Sequence, residues 1–220
     1  MPNPNWFQQR LRDPFLKKAH SESLRSRAAY KLQEIHEKYK LIKPNHKVLD
    51  LGCAPGSWTQ IAAKFLSPKG LLVGIDLVAT EPVEGATILQ GDIRDKAMQT
   101  KIRELCPNRF DLILSDMAPN TTGVHHADTA NSADLVSLVL DLCSEWLKPG
   151  GSMVAKVFEG SEYQALHKRA KSLFDFAKSV NPEASLSRSR EVYLVGQGYR
   201  GHDEKKSDKA DKLTTPMQKR

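Results

Sequence analysis

The sequence predicts an α/β fold, built on a mostly parallel sheet with helices on both faces. Three observations carry that expectation. Short apolar runs alternate with helical patterns from Lys47 onward, the signature of strand–helix–strand units. A glycine turn, Gly52–Gly56, links the first run to a helix. Acids stand at the ends of successive runs, at Asp50, Asp76 and Asp92, where a parallel sheet gathers its ligand groups.

Leu24, Ala28, Leu32, Ile35 and Tyr39 recur at helical spacing, so residues 22–40 read as a helix, broken at Lys43-Pro44-Asn45. The expected strands are Val48–Leu51, Leu71–Ile75, Thr87–Gln90, Leu112–Ser115, Ser152–Phe158 and Val192–Val195. The expected helices are Ser57–Phe65, Lys96–Leu105, Ser132–Trp146 and Glu162–Phe176. No internal repeat is present. From Gly198 the chain is polar and lysine-rich without periodicity, which predicts disorder.

With 220 residues, 40% hydrophobic and 27% charged, the chain suits one well-buried domain with short extensions. No apolar run is long enough for a membrane span. The first residues lack the apolar core of a signal peptide, so a cytoplasmic protein is expected. Cys53, Cys106 and Cys143 are odd in number and widely spaced. They predict free thiols, neither a disulfide framework nor a metal site. Residues 1–47 hold eleven Lys or Arg against four Asp or Glu, residues 48–198 fifteen against eighteen, and residues 199–220 seven against four. Three parts follow: a basic arm with its helix (1–47), a central domain (48–198) and a disordered basic tail (199–220). In the arm, Trp6, Phe7, Phe15 and Tyr30 are interleaved with the cations. Aromatics among cations suit a nucleic acid. Arg10, Arg12, Lys17, Lys18, Arg25 and Arg27 are the expected phosphate contacts.

The segment Val48-Leu49-Asp50-Leu51-Gly52-Cys53-Ala54-Pro55-Gly56-Ser57-Trp58 carries its glycines at G-x-x-x-G spacing. The dinucleotide fingerprint is G-x-G-x-x-G, so the spacing disfavours NAD and fits a ligand without phosphates. A glycine turn alone is often merely structural. Here Asp76, after Gly74-Ile75, can accept both hydroxyls of a ribose. Asp92, in Gln90-Gly91-Asp92-Ile93, can accept from an adenine amino group. Together they predict an adenosine-containing ligand.

Asp116 follows a fourth strand in Ser115-Asp116-Met117-Ala118-Pro119-Asn120. Lys156 interrupts the apolar strand Met153-Val154-Ala155-Lys156-Val157-Phe158, and Glu191 opens the last strand in Ser189-Arg190-Glu191-Val192-Tyr193. A lysine inside such a strand is costly unless paired. Taken singly, Lys31 in Ser26-Arg27-Ala28-Ala29-Tyr30-Lys31-Leu32 would read as an exposed helix cation, and Glu191 as a surface acid.

In this order the motifs resemble the FtsJ/RrmJ family of RNA ribose 2′-O-methyltransferases, in particular its bacterial large-subunit ribosomal RNA branch, over residues 21–197. The resemblance implies a Rossmann-like methyltransferase fold with a seven-stranded sheet, and a catalytic tetrad of Lys31, Asp116, Lys156 and Glu191. It implies S-adenosyl-L-methionine held by Gly56, Trp58, Asp76, Asp92 and Asp116; Gly52, Asp50 and Ile93 are expected beside them. It also implies a uridine of large-subunit ribosomal RNA as target, within the assembled subunit. A monomer without membrane association is expected. Lys156 suits the 2′-oxygen, either as a neutral base or as a cation stabilising developing alkoxide. Transfer RNA as substrate, and a non-catalytic RNA-binding assembly factor, are the alternatives. An intact tetrad speaks against the second. The sequence has no Asn-Pro-Pro-Tyr or Asp-Pro-Pro-Tyr element and no Pro-Cys nucleophile, so base methylation fits poorly.

Overall fold

A glycine turn and two capped helices bring the chain into its sheet. The computed structural model describes residues 13–185 and 189–201. Helix α1 (Pro14–Ser21) is capped by Asp13, whose carboxylate accepts the N–H groups of Phe15 and Leu16. Helix α2 (Ala28–Tyr39) ends where Lys40 turns left-handed, at φ 52°. Then follow β1 (Lys47–Leu51), α3 (Ser57–Phe65), β2 (Leu71–Asp76), β3 (Thr87–Gln90), α4 (Lys96–Leu105), β4 (Phe110–Ser115), α5 (His125–Trp146), β5 (Leu147–Phe158), α6 (Tyr163–Leu173), β6 (Phe174–Val180) and β7 (Glu191–Tyr199).

The seven strands lie in the order β3-β2-β1-β4-β5-β7-β6. Pairing is parallel from β3 to β5, whereas β7 runs antiparallel to both β5 and β6. The order reverses at β1, so the ends of β1 and β4 open onto a crevice between the two halves of the sheet. Side chains alternate between the two faces. Leu49, Ile113, Ala155 and Leu194 pack with α5 on one face. Val48, Leu112, Val154, Tyr193 and Val195 pack with α2 and α3 on the other.

Several expectations need correction. The helix expected over 22–40 begins at Ala28, and a separate helix precedes it. Leu32 and Ile35 of α2 are fully buried in the same cluster as Val48 and Leu72, so α2 folds with the sheet and the division at residue 47 does not separate it. The helix expected over 162–176 stops at Leu173. Phe174 instead buries its ring against Tyr199 as the edge strand begins. Gly198 and Tyr199 belong to β7, and Tyr199 is 2% exposed; disorder from Gly198 is therefore wrong at its start, and the tail beyond Gly201 lies outside the described residues. Helix α5 starts at His125 and β5 at Leu147, both earlier than expected. All three cysteines are buried and free. Among the described residues, no helix is long and apolar enough to cross a membrane.

Candidate active site

The crevice holds a cavity of about 400 Å3, lined by the strand ends and by α5. Gly52 opens its floor. The residue has φ 72°, and a Cβ there would stand 2.6 Å from Met117 Cγ, so only glycine fits without displacing the neighbouring strand end. Asp76, at the end of β2, is held by two backbone donors: Ala54 N–H on Oδ2 and Val78 N–H on Oδ1, each at 2.9 Å. Each oxygen keeps a free lone pair for a hydroxyl. Asp92 carries a fork from Arg94, with Nε and Nη2 at 3.0 and 2.6 Å. That hydrogen bond holds its carboxyl below the usual range. Leu77, Ile93, Met117, Leu135 and Leu138 supply the apolar lining.

The donor set fits S-adenosylmethionine. Asp76 can hold a ribose diol, Asp92 an amino group, and the apolar wall an adenine ring. The two cations on the lining, Arg94 and Lys156, are each already paired with an acid. The cavity is thus acidic in balance, suited to a sulfonium and unsuited to phosphates.

Lys156 lines this cavity. Its Nζ donates to the Asp116 carbonyl at 2.5 Å and lies 3.0 Å from Asp116 Oδ1. Directly across the ladder sits Tyr193, whose hydroxyl donates to the same Oδ1 at 3.1 Å. Burial, followed by the nearby Asp116 and Glu191 carboxylates, pushes the Tyr193 phenol well above its ordinary value, so it stays a donor. Behind Lys156, the buried Lys31 and the half-buried Glu191 form an ion pair joining α2 to β7. Burial pushes the Glu191 carboxyl up, but Lys31, and then Lys156, outweigh it and hold the group below its ordinary value. The Lys31 ammonium also lies 5.7 Å from the centre of the Tyr193 ring. Residues that are 160 positions apart, Lys31 and Glu191, thus meet in one cluster with Asp116 and Lys156.

Not every expected ligand contact faces the cavity. Gly52, Asp76, Asp92, Ile93, Asp116 and Lys156 line it; Asp50, Gly56 and Trp58 do not. Asp50 is fully buried beneath the glycine turn, accepting from Thr59 Oγ1 at 2.6 Å, while its Oδ1 has no partner. Burial pushes its carboxyl up to about 7, and the nearby Asp116 and Asp76 act in the same direction. The Trp58 indole is 2% exposed; it donates to the Ala28 carbonyl at 2.9 Å and packs on Tyr193. It therefore anchors α2, and with it Lys31. Gly56, at φ 106°, starts α3 with the Arg25 guanidinium packed where a side chain would go.

Arg25 and Arg27 are not free for phosphates. Arg25 donates to the carbonyls of Pro55, Glu81 and Pro82, each at 2.7 Å. Arg27 pairs with Asp13 and donates to the Ala184 carbonyl at 2.6 Å. Both tie the N-terminal segment to the domain. Arg10 and Arg12 lie outside the described residues. Tyr193, Arg94 and Leu77 are site residues that the sequence reading missed. Only Tyr193 left a trace, as a phenol two positions after Glu191 in an apolar strand.

A crevice at the topological switch, acids at the ends of β2 and β3, and a paired lysine beside them define the class of S-adenosylmethionine-dependent methyltransferases. The chain belongs to the FtsJ-like methyltransferase family, whose profile matches residues 24–199. It is 46% identical over 194 residues to the ribosomal RNA large subunit methyltransferase E of Acinetobacter baylyi, covering 88% of this chain and 90% of that one. The enzyme of the same name from Marinobacter nauticus is 45% identical over 196 residues, with 89% and 95% covered. Among solved structures, a protein from Plasmodium falciparum described as a ribosomal RNA methyltransferase superposes with a TM-score of 0.73 at 31% identity. That match covers 81% of this chain and 100% of that one. The fibrillarin pre-rRNA processing protein of Methanococcus jannaschii, at 16% identity and a TM-score of 0.50, shares the fold, with 74% and 70% covered.

Proposed function

We propose that the protein transfers a methyl group from S-adenosylmethionine to the ribose 2′-hydroxyl of a uridine in large-subunit ribosomal RNA. The substrate is the assembled large subunit, met in the cytoplasm by a monomeric enzyme whose basic arm contacts the RNA. One observation carries the reading: Lys156, fixed by Asp116, stands where the cofactor cavity meets the Lys31–Glu191 pair. The names of the relatives above support the choice of RNA.

When bound, S-adenosylmethionine supplies an electrophilic sulfonium methyl. The ribose hydroxyl is the weak partner: its oxygen gains the methyl as the carbon–sulfur bond breaks, and its proton must pass to solvent, so the protein's task is to orient the hydroxyl and to steady charge on its oxygen. An ammonium has three N–H donors. One on Lys156 donates to the Asp116 carbonyl, and Oδ1 of the same residue lies 3.0 Å from the nitrogen, which leaves a donor for the 2′-oxygen. Asp116, steadied by Tyr193, keeps the ammonium from turning away. Lys31 and Glu191 tie α2 to β7, the strand that carries Tyr193.

The test is a map of ribose methylation in RNA from cells lacking the gene. One uridine of large-subunit RNA should lose its methyl group and regain it from a plasmid copy, but not from a copy bearing Lys156→Ala. Loss confined to transfer RNA would move the substrate, and an unchanged map would end the proposal.

A further inference from the structure

A second, smaller cleft of about 180 Å3 opens beside the Lys156 cluster, lined by His125, Asp128, Thr129, Phe158, Ser189 and Arg190. It is under half the volume of the cofactor cavity, about 400 Å3. None of its six residues lines that cavity or belongs to the tetrad.

Its position follows from the β5–β7 ladder. Phe158 lies two residues beyond Lys156, so both side chains leave the same face of β5. Glu191 is the direct cross-strand partner of Phe158, as Tyr193 is of Lys156. A step of two residues along a strand is about 6.7 Å, roughly one nucleoside's reach from sugar to base. With the methyl donor's cavity on one side of Lys156, a ribose placed there has its base turned the other way, toward Phe158. The far wall is also prepared. Asp128 accepts from Thr122 N–H and Oγ1 at 2.7 and 2.9 Å and from Gly123 N–H at 3.2 Å. Those bonds fix the turn that precedes His125 and hold the carboxyl below its ordinary range, the Thr122 backbone donor first. Thr129 Oγ1 donates to the His126 carbonyl at 3.0 Å, and Ser132 Oγ accepts from Phe158 N–H at 3.0 Å. The floor is thus rigid and its polar groups are largely used, while Arg190 at the mouth is exposed.

We infer that this cleft receives the base of the nucleotide being methylated, with Phe158 as its stacking platform and Arg190 as donor to its carbonyl oxygens, which favours uracil over adenine, a base without a carbonyl. An aromatic ring and a guanidinium plane are the groups by which proteins hold splayed single-stranded bases. This inference rests on the proposed ribose methylation, and it assigns Phe158 and Arg190 a role in specificity distinct from the chemistry at Lys156.

The experiment uses affinity-tagged large subunits from cells lacking the gene, with the mapped target uridine either kept or changed to cytidine, adenosine or guanosine. Single-turnover methylation is then followed with wild type, Arg190→Ala and Phe158→Ala. Wild type should disfavour adenosine against uridine by about ten- to a hundred-fold, the scale of one hydrogen bond to a charged donor. Each variant should raise the half-saturating subunit concentration by about ten-fold or more, and Arg190→Ala should also narrow the uridine-to-adenosine ratio. S-adenosylmethionine affinity should not change in either. Arg190 is exposed, so its variant decides the matter should Phe158→Ala fold poorly. Equal use of uridine and adenosine by wild type, or an Arg190→Ala variant that slows every substrate alike with the ratio intact, would overturn the base cleft while leaving ribose methylation standing. Absence of any methylation of unaltered subunits would overturn both.

Discussion

Replacing Asp50 by Asn tests the electrostatics beneath the cofactor turn. Asp50 is fully buried, with one oxygen satisfied by Thr59 and the other without a partner. Its carboxyl rises from 3.8 to about 7, chiefly by burial. Because the folded value lies above the unfolded one, the folded state binds more protons between the two. Stability from this group is therefore fully present below about pH 4 and is lost as pH rises through 7. A difference of about three pH units corresponds to roughly 4 kcal/mol at about 1.4 kcal/mol per unit. Asn keeps the shape and can accept from Thr59, but it cannot ionise. Its amide adds buried donors at a cost of about 1–3 kcal/mol. Asp50→Asn should therefore be no more stable than wild type at pH 5, and should gain on it by about 2–3 kcal/mol between pH 5 and 8. Urea unfolding of both proteins at pH 5, 6.5 and 8 measures this directly, since titrations common to both cancel in the difference. A stability difference that stays constant over that range would refute the reasoning.

Four further outcomes are expected. Lys156→Ala should cut single-turnover methyl transfer by about 10²–10³-fold while S-adenosylmethionine affinity, read by calorimetry, stays within a few fold; transfer near the wild-type rate would remove Lys156 from the chemistry. Lys31→Met and Glu191→Gln should each cost about 3–5 kcal/mol in urea unfolding by stranding a buried partner. The double variant should cost less than the sum, and strict additivity would mean that the pair contributes nothing. Gly52→Ala forces a left-handed residue and a clash with Met117, so it should lose about 1–2 kcal/mol of stability and weaken S-adenosylmethionine binding; unchanged calorimetry would mean that the turn does not approach the ligand. Changing both Lys17 and Lys18 to Gln should flatten the salt dependence of RNA binding by about 0.7–0.9 log units per lost contact. Arg25→Gln, by contrast, should lower the melting temperature with the salt slope unchanged, and the reverse pattern would return Arg25 to the RNA.

Local pattern alone located much of this protein. Ser57–Phe65, Lys96–Leu105 and Thr87–Gln90 have the ends that their periodicity marks, because each is bounded by a turn or cap whose chemistry is local. The acids at Asp76 and Asp92 were legible for the same reason, since an acid at or just past a strand end, with a glycine one or two residues before it, is a local event. That Lys31, Asp116, Lys156 and Glu191 meet was expected only through family resemblance, as nothing in spacing joins Lys31 to Glu191 across 160 positions. Packing decided the rest. Leu166, Ala170 and Phe174 continue a helical rhythm, yet Phe174–Val180 is a strand because β7 offers it a ladder and Tyr199 a partner for its ring. Asp50 and Trp58 sit in the cofactor motif, but alternation along a strand or helix distinguishes two faces without saying which one meets the cavity. Arg25 and Arg27 carry a visible charge, whereas their acceptors, Pro55, Glu81, Pro82 and Ala184, are distant carbonyls that leave no mark in composition. Propensity and turn chemistry act over a few residues and so are written in the sequence directly. The direction of a side chain depends on which distant surfaces bury it, and that is settled only when the chain has folded.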